Sequence, residues 1–300
     1  MRVLDAEAVA ALGPTGAVDA VTDALRGGLD PSADPARTLV DLAHGQFLLM
    51  PSQTAVATGV KVVTVAPDNP TRGLPRIQAS YLLFDHDTLT LRAVLDGTAL
   101  TTLRTPAVSV AAVLPRLPER ALRVVVVGAG PQATGHVATL AAVRDLESVS
   151  YLVRAPSRSR LEAVTLGSNE AAEAIRSADV VVCATSARTP VLDSAVFRDD
   201  VLVIAVGSHE PDARELDTAI MGRATVVVED VETALREAGD VVMALEARAL
   251  DRTELVPMRD VVTGAVSLPA DRAVVFKSVG MSWQDLVVAE AVVAHADRRG

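Results

Sequence analysis

Residues 121–136 read ALRVVVVGAGPQATGH, and this stretch decides the fold. Four consecutive valines, Val124 to Val127, show no polar alternation, which suits a parallel strand buried on both faces. The run stops at Gly128-Ala129-Gly130-Pro131-Gln132-Ala133, a G-x-G-x-x-A sequence followed by an expected helix over 132–143. Each small residue there has a physical task. Gly128 permits the tight turn, Gly130 lets the backbone approach a pyrophosphate, and Ala133 allows close helix–strand packing. The helix N-terminus adds partial positive charge. In this strand–turn–helix context the motif predicts a dinucleotide site, with a purely structural glycine turn as the alternative.

Toward the C-terminus, VSYLVR (149–154), ADVVVCATS (178–186), DVLVIAVGS (200–208) and ATVVVED (224–230) repeat the strand pattern, with polar and helical stretches between them. This alternation predicts a doubly wound α/β sheet. Only 23 residues separate Arg154 from Ala178, so a third strand there is expected to be vestigial. The end of the second strand bears on the cofactor. An acid there would bond a ribose 2′-hydroxyl, whereas this chain offers Arg154, Ser157, Arg158 and Arg160, which favours NADPH over NADH.

Toward the N-terminus the character changes. The first 27 residues or so read as helical around a Gly13-Pro14 break, and residues 37–98 read as an antiparallel sheet rich in β-branched residues. A helix over 100–114 and the prolines at 115 and 118 mark the boundary, and a final helix is expected over 283–295. Within the apolar first block stand three basic residues, Arg37, Lys61 and Arg104. Singly, each reads as a surface charge; together they would make a sensible carboxylate clamp. His209 follows a parallel strand, where loops face the cofactor crevice of such sheets, and could transfer protons; a locally bonded loop histidine is the alternative.

Composition bounds the partners. The 300 residues are half apolar and carry a formal charge of −10, with only 2% aromatics. That excludes disorder and disfavours nucleic acid or an anionic membrane as partner. Cys183 is the only cysteine, which excludes an internal disulfide or a cysteine-cage zinc site, and the scattered histidines suggest no metal. With no apolar leader or spanning run, the expected location is cytoplasmic.

The assembled segments resemble the ornithine cyclodeaminase/μ-crystallin family. They are Arg37, MPS (50–52), Lys61, GLP (73–75), LDGTALTTLRTPAVS (95–109), GAGPQA (128–133), ADVVVCATS with Thr189-Pro190, VGSHEPDARELD (206–217) and FKSVGMSWQDL (276–286). The resemblance implies a Rossmann domain (115–279) inserted into a discontinuous α+β substrate-binding and dimerisation domain (1–114 plus 280–300), a cleft active site and a homodimer. It implies that Arg37, Lys61 and Arg104 hold a substrate carboxylate. It places Thr105, Gly128, Gly130, Pro131, Gln132, Ala133, Thr185, Ser186, Val206, Gly207, Ser208, Lys277 and Ser278 along the cofactor. Two departures matter. Cyclodeaminases of the family carry Asp where this chain has His209, and an acid where it has Arg154. Both point toward an NAD(P)H-dependent reductase of a small, cyclic α-imino acid such as pyrroline-2-carboxylate, with Lys61, His209 or water keeping the imine protonated. A cyclodeaminase or amino-acid dehydrogenase using NAD, and a non-catalytic μ-crystallin-like binding protein, are the alternatives.

Overall fold

The computed structural model describes residues 1–298. The chain divides into two compact units, Met1–Val108 with the segment from Met281 onward, and Ser109–Gly280. The first division falls inside the helix Gly97–Val113, ahead of the proline boundary expected from sequence. That helix runs on unbroken because Pro106 lies within it without ending it, while Asp96 caps its start by accepting from the Thr98 and Ala99 N–H groups.

In the first unit six strands form one sheet. They are β1 (Arg2–Leu4), β2 (Thr38–Leu42), β3 (Gly45–Gln53), β4 (Ala57–Val65), β5 (Ile77–Asp85) and β6 (Leu91–Asp96), ordered β1-β6-β5-β4-β3-β2. Strands β2 to β6 pair antiparallel, as their alternating pattern predicts. Strand β1 pairs parallel with β6, inside the stretch read as helical from sequence. Three residues are too few to show a period, so this strand is made by its partner. Along β4, Ala57, Gly59, Lys61 and Val63 are buried and the residues between them are not. The helix Ser282–Asp297 contacts β3, β4 and β5 and buries Leu286, Val288 and Ala289. Lys61 is thus on a core face, directly opposite Met50 and Tyr81 on the flanking strands.

The second unit is an eight-stranded, all-parallel sheet. Its strands are β7 (Leu122–Val127), β8 (Leu146–Val153), β9 (Ala163–Thr165), β10 (Val180–Cys183), β11 (Leu202–Ala205), β12 (Thr225–Val228), β13 (Val256–Pro257) and β14 (Val274–Lys277). Their order is β13-β12-β14-β11-β10-β7-β8-β9. Progression reverses between β7 and β10, and ligands of such sheets bind outside the carboxyl ends of the strands at that point. The central strands β10, β11 and β14 are buried along their whole length, which is why they read as unbroken apolar runs. The short third strand, β9, has only three residues.

Candidate active site

In the first unit two basic side chains converge on one acid. Lys61 Nζ donates to Asp285 Oδ2 at 2.6 Å, and Arg104 Nε donates to Asp285 Oδ1 at 3.2 Å. Arg104 Nη1 also donates to Gln284 Oε1 at 2.7 Å. Lys61, Arg104 and Asp285 are buried, at 2%, 5% and 0% exposure. Burial on this scale, opposed by the Asp285 carboxylate and reinforced by the charges of Arg104 and Arg37, brings the Lys61 ammonium down to about 8. Half-buried Arg37 thus belongs to the same electrostatic group. Three cations against the buried Asp285 carboxylate and the neighbouring Asp34 still leave an excess of positive charge suited to an anion.

Two further groups complete this region. Asp34 Oδ2 accepts from the Trp283 N–H at 2.8 Å, which ties the chain just before Arg37 to the first turn of the helix carrying Asp285. Burial lifts the Asp34 carboxyl to about 6. Tyr81 is 0% exposed, with its hydroxyl lying where a side chain at position 59 would stand, so only glycine fits there. The sequence assigns no role to Asp285, Gln284 or Asp34, although the first two lie within the FKSVGMSWQDL segment. Asp285 follows Gln284 on a helix without apolar periodicity, and its partners are distant in the chain. A larger cavity of about 890 Å³, lined among others by Ala24, Thr54, His86 and Glu290, contains none of the three basic residues.

In the second unit a cavity of about 360 Å³ opens at the carboxyl ends of the strands on both sides of the reversal. Gly128, Ala129, Arg154, Thr185 and Ser186 are among its lining residues. Gly128 has φ +118°, and a Cβ there would lie 2.5 Å from the Ala184 carbonyl oxygen, so the turn requires glycine. Beyond its chain neighbours, no protein atom lies within 4 Å of a notional Cβ at Gly130. Its lack of a side chain is therefore not demanded by the protein itself, and it leaves the room a pyrophosphate needs. Pro131, Gln132 and Ala133 open the helix Pro131–Val143, with Gly130 as its N-cap and Ala133 buried against the sheet. Residues and space here fit a dinucleotide.

His136 fixes this helix from behind. Its Nδ1 lies 2.7 Å from the Gln132 carbonyl and its Nε2 lies 3.0 Å from Ser109 Oγ. Complete burial pushes the ring down to about 4, so it is neutral near pH 7. Arg154, Ser157 and Arg158 are exposed beyond the end of β8, with Ser157 and Arg158 in the 3-10 turn Pro156–Arg158. No acid stands at the end of that strand; Glu147 lies at its start.

Several residues expected along the cofactor make hydrogen bonds within the protein. The Lys277 side chain is 0% exposed and donates to the Ser208 carbonyl at 2.6 Å. Ser208 is itself buried, its hydroxyl donating to the Ala213 carbonyl at 2.5 Å. The Thr185 hydroxyl donates to Glu215, and the Ser278 hydroxyl donates to Glu229 at 2.7 Å. These four side chains hold the loops after β10, β11 and β14 in place. Val206 is tied to the Cys183 carbonyl through its N–H, and Gly207 to Glu215 through its own. Thr105 is buried in the first unit, and His209 is exposed in the loop after β11. Glu215, Glu229 and Asp240 are the buried acids of these loops, and the sequence assigns none of them a role, because the groups they bond are distant in the chain. Among the described residues no group of three or more His, Cys, Asp or Glu side chains is placed to hold a metal ion.

A parallel sheet with a glycine-rich first turn, joined in one chain to a unit with a buried lysine–arginine cluster, defines a nicotinamide-dinucleotide oxidoreductase. Comparison with known proteins makes the assignment narrower. The chain belongs to the ornithine cyclodeaminase/mu-crystallin family, whose model matches residues 12–299. It is 33% identical over 267 residues to the ketimine reductase mu-crystallin of Mus musculus, covering 86% of this chain and 83% of that one. It is 33% identical over 283 residues to a Delta(1)-pyrroline-2-carboxylate reductase of Bacillus cereus, covering 89% and 87%. Among solved structures it matches the Thermococcus litoralis Delta(1)-pyrroline-2-carboxylate reductase in complex with NADH and L-proline. The TM-score is 0.89 at 27% identity, over 100% of this chain and 98% of that one. An archaeal alanine dehydrogenase dimer with bound NAD gives TM-score 0.87 at 26% identity, over 100% and 97%.

Proposed function

We propose that the protein is an NAD(P)H-dependent reductase of a small, cyclic α-imino acid, with pyrroline-2-carboxylate as the type substrate. The observation that carries this reading is the buried set of Lys61 and Arg104 around Asp285, with Arg37 beside it. Arg37, Lys61 and Arg104 grip the substrate carboxylate and fix the ring so that its C2 accepts hydride. When bound, the nicotinamide cofactor supplies that hydride. An imine is more electrophilic when its nitrogen is protonated. Lys61, at about 8, is a strong enough acid near neutral pH to hold that proton in place. His209 sits in an exposed loop and is the second candidate for this role.

The cofactor-binding set of this reading is Gly128, Gly130, Pro131, Gln132 and Ala133 for the pyrophosphate. The loops carrying Thr185, Ser186, Val206, Gly207, Ser208, Lys277 and Ser278 serve the nicotinamide side. NADPH is the preferred form, because exposed Arg154 and Arg158 with Ser157 suit a 2′-phosphate and no acid repels it. A homodimer is supported by the edge strand β2, which is exposed throughout and presents Leu39, Val40 and Leu42 to solvent. No helix among the described residues is long and apolar enough to cross a membrane, and a cytoplasmic place fits the single buried cysteine.

Oxidation of NADPH and NADH, followed with pyrroline-2-carboxylate and piperideine-2-carboxylate, tests the activity. Turnover of a cyclic imine with lower KM for NADPH is expected. Inertness toward every imine, while ornithine yields ammonia, overturns the reading in favour of cyclodeamination.

A further inference from the structure

The second unit contains a buried array of charged groups that the reaction outlined above does not use. Glu215 is 0% exposed. Its Oε1 accepts from the Thr185 N–H and from the Thr185 hydroxyl, both at 2.7 Å, and its Oε2 accepts from the Gly207 N–H at 2.7 Å. The Thr185 oxygen takes the Ala187 N–H at 3.2 Å, so its own proton points to Glu215. Three donors converging on the two oxygens define an ionised carboxylate, stabilised although burial pushes it toward protonation. Asp240, 1% exposed, accepts the Glu215 and Leu216 N–H groups on Oδ1 at 2.9 and 2.8 Å. Its Oδ2 lies 3.1 Å from Lys277 Nζ. Two carboxylates and one ammonium leave a net negative charge within this trio, shielded from water.

The placement gives this charge a consequence. Thr185 follows β10, Gly207 follows β11 and Lys277 ends β14, the three strands beyond the reversal of strand order. In a doubly wound sheet the two halves each take one mononucleotide, and the glycine-rich turn after β7 together with the end of β8 belongs to the adenosine side. The carboxyl ends of β10, β11 and β14 therefore form the nicotinamide half. At Gly207 a notional Cβ would lie 2.5 Å from Glu215 Oε1, so the carboxylate packs directly beneath the backbone of that loop.

We propose that Glu215 is a positioning residue for the nicotinamide half of the site, and that its dry, ionised carboxylate favours the oxidised, positively charged ring over the reduced, neutral one. By tying Thr185 to Gly207 it sets the spacing of two adjacent strand ends. By its charge it stabilises the ring state left when hydride departs, because a buried charge acts through a medium that screens poorly. The inference rests on the nicotinamide reading above.

Dissociation constants for NADP⁺ and NADPH, measured by calorimetry on the full chain without imine, test it in the Glu215→Gln variant. Glutamine keeps the shape and one acceptor while removing the charge. The expected result is a loss of NADP⁺ affinity about five- to tenfold greater than the loss of NADPH affinity. Equal losses for the two forms would mark a merely structural residue and overturn the proposal, as would no change in either. Should Glu215→Gln not fold, Asp240→Asn removes a second charge of the same array and is expected to move the ratio in the same direction by a smaller factor. An unmoved ratio there overturns the proposal equally. Wild-type protein that binds neither form overturns this inference together with the cofactor reading, whereas binding of both without imine turnover overturns only the substrate.

Discussion

Lys61 Nζ lies 2.6 Å from Asp285 Oδ2, with the two side chains 2% and 0% exposed. An ion pair this far from water is poorly described as a stabilising bridge, since both charges were dehydrated to form it. Its importance shows when one member is removed. Asp285→Asn leaves the Lys61 ammonium and the Arg104 guanidinium facing each other without a counter-charge. A loss of about 3–5 kcal/mol in unfolding free energy is expected from urea titration near pH 7.

The same pair sets a pH limit. Below about pH 8 Lys61 is an ammonium; above it the amine is neutral and one cation of the proposed carboxylate grip is gone. The kcat/KM for an imino acid is therefore expected to fall as pH rises through about 8. Because Asp285 opposes the downward pull of burial, Asp285→Asn should bring that fall to lower pH. A pH–rate profile of the two proteins checks both the position and the direction.

The two glycines of the first turn should respond differently to alanine. Gly128→Ala forces a side chain onto a φ of +118° and toward the Ala184 carbonyl, at an expected cost of about 1–3 kcal/mol in stability. Gly130→Ala meets no protein atom within 4 Å and should leave ligand-free stability within about 0.5 kcal/mol. In the proposed cofactor site its methyl group would intrude on the pyrophosphate, so cofactor affinity should fall. Thermal melting and cofactor titration of both variants separate the two roles.

His136 predicts an acid-side loss of stability. Its folded value, about 4, lies below its ordinary 6.5, so the unfolded chain binds the proton more readily over that interval. This contribution is fully present above pH 6.5 and is lost as pH falls toward 4, amounting to about 3 kcal/mol at most. Unfolding free energies across that range should slope downward in the wild type, and less steeply in His136→Gln.

In the proposed function, cofactor choice rests on the end of β8. Arg154→Asp replaces a cation lining the cavity of about 360 Å³ with the acid that would suit a free ribose hydroxyl. The KM for NADPH is expected to rise about tenfold or more, with that for NADH unchanged or lower. Steady-state kinetics with both cofactors decides it.

The legibility of this chain follows from how local each signal is. The valine run and glycine turn at 124–133 are contiguous, so strand, turn and helix are all readable there. Lys61 was readable as part of an apolar strand, yet nothing local said that its face was the buried one. That depends on the helix Ser282–Asp297 lying over it. Asp285 carries no local mark either, because the helix is apolar on all sides and an acid in its first turn resembles an ordinary surface residue. Glu215 and Asp240 are 25 residues apart and act on backbone groups, which have no sequence signature. The family resemblance lines Lys277 and Ser208 along a cofactor, whereas the bonds their side chains make are to backbone carbonyls within the unit, Ser208 and Ala213 respectively.

The pairing of Lys61 with Asp285 spans 224 residues of chain. On a ribosome the second unit, Ser109–Gly280, is complete before Asp285 has been made. The sheet of the first unit has by then emerged in full, but Lys61 has no carboxylate to meet and no helix to cover it. Synthesis from the N-terminus thus yields a parallel-sheet unit able to fold early, while the first unit stays open until the last helix arrives. A nascent chain stalled before residue 282 should therefore protect the parallel sheet from protease and leave β4 exposed to cleavage. The interrupted order of the domains is, in this sense, also a timetable.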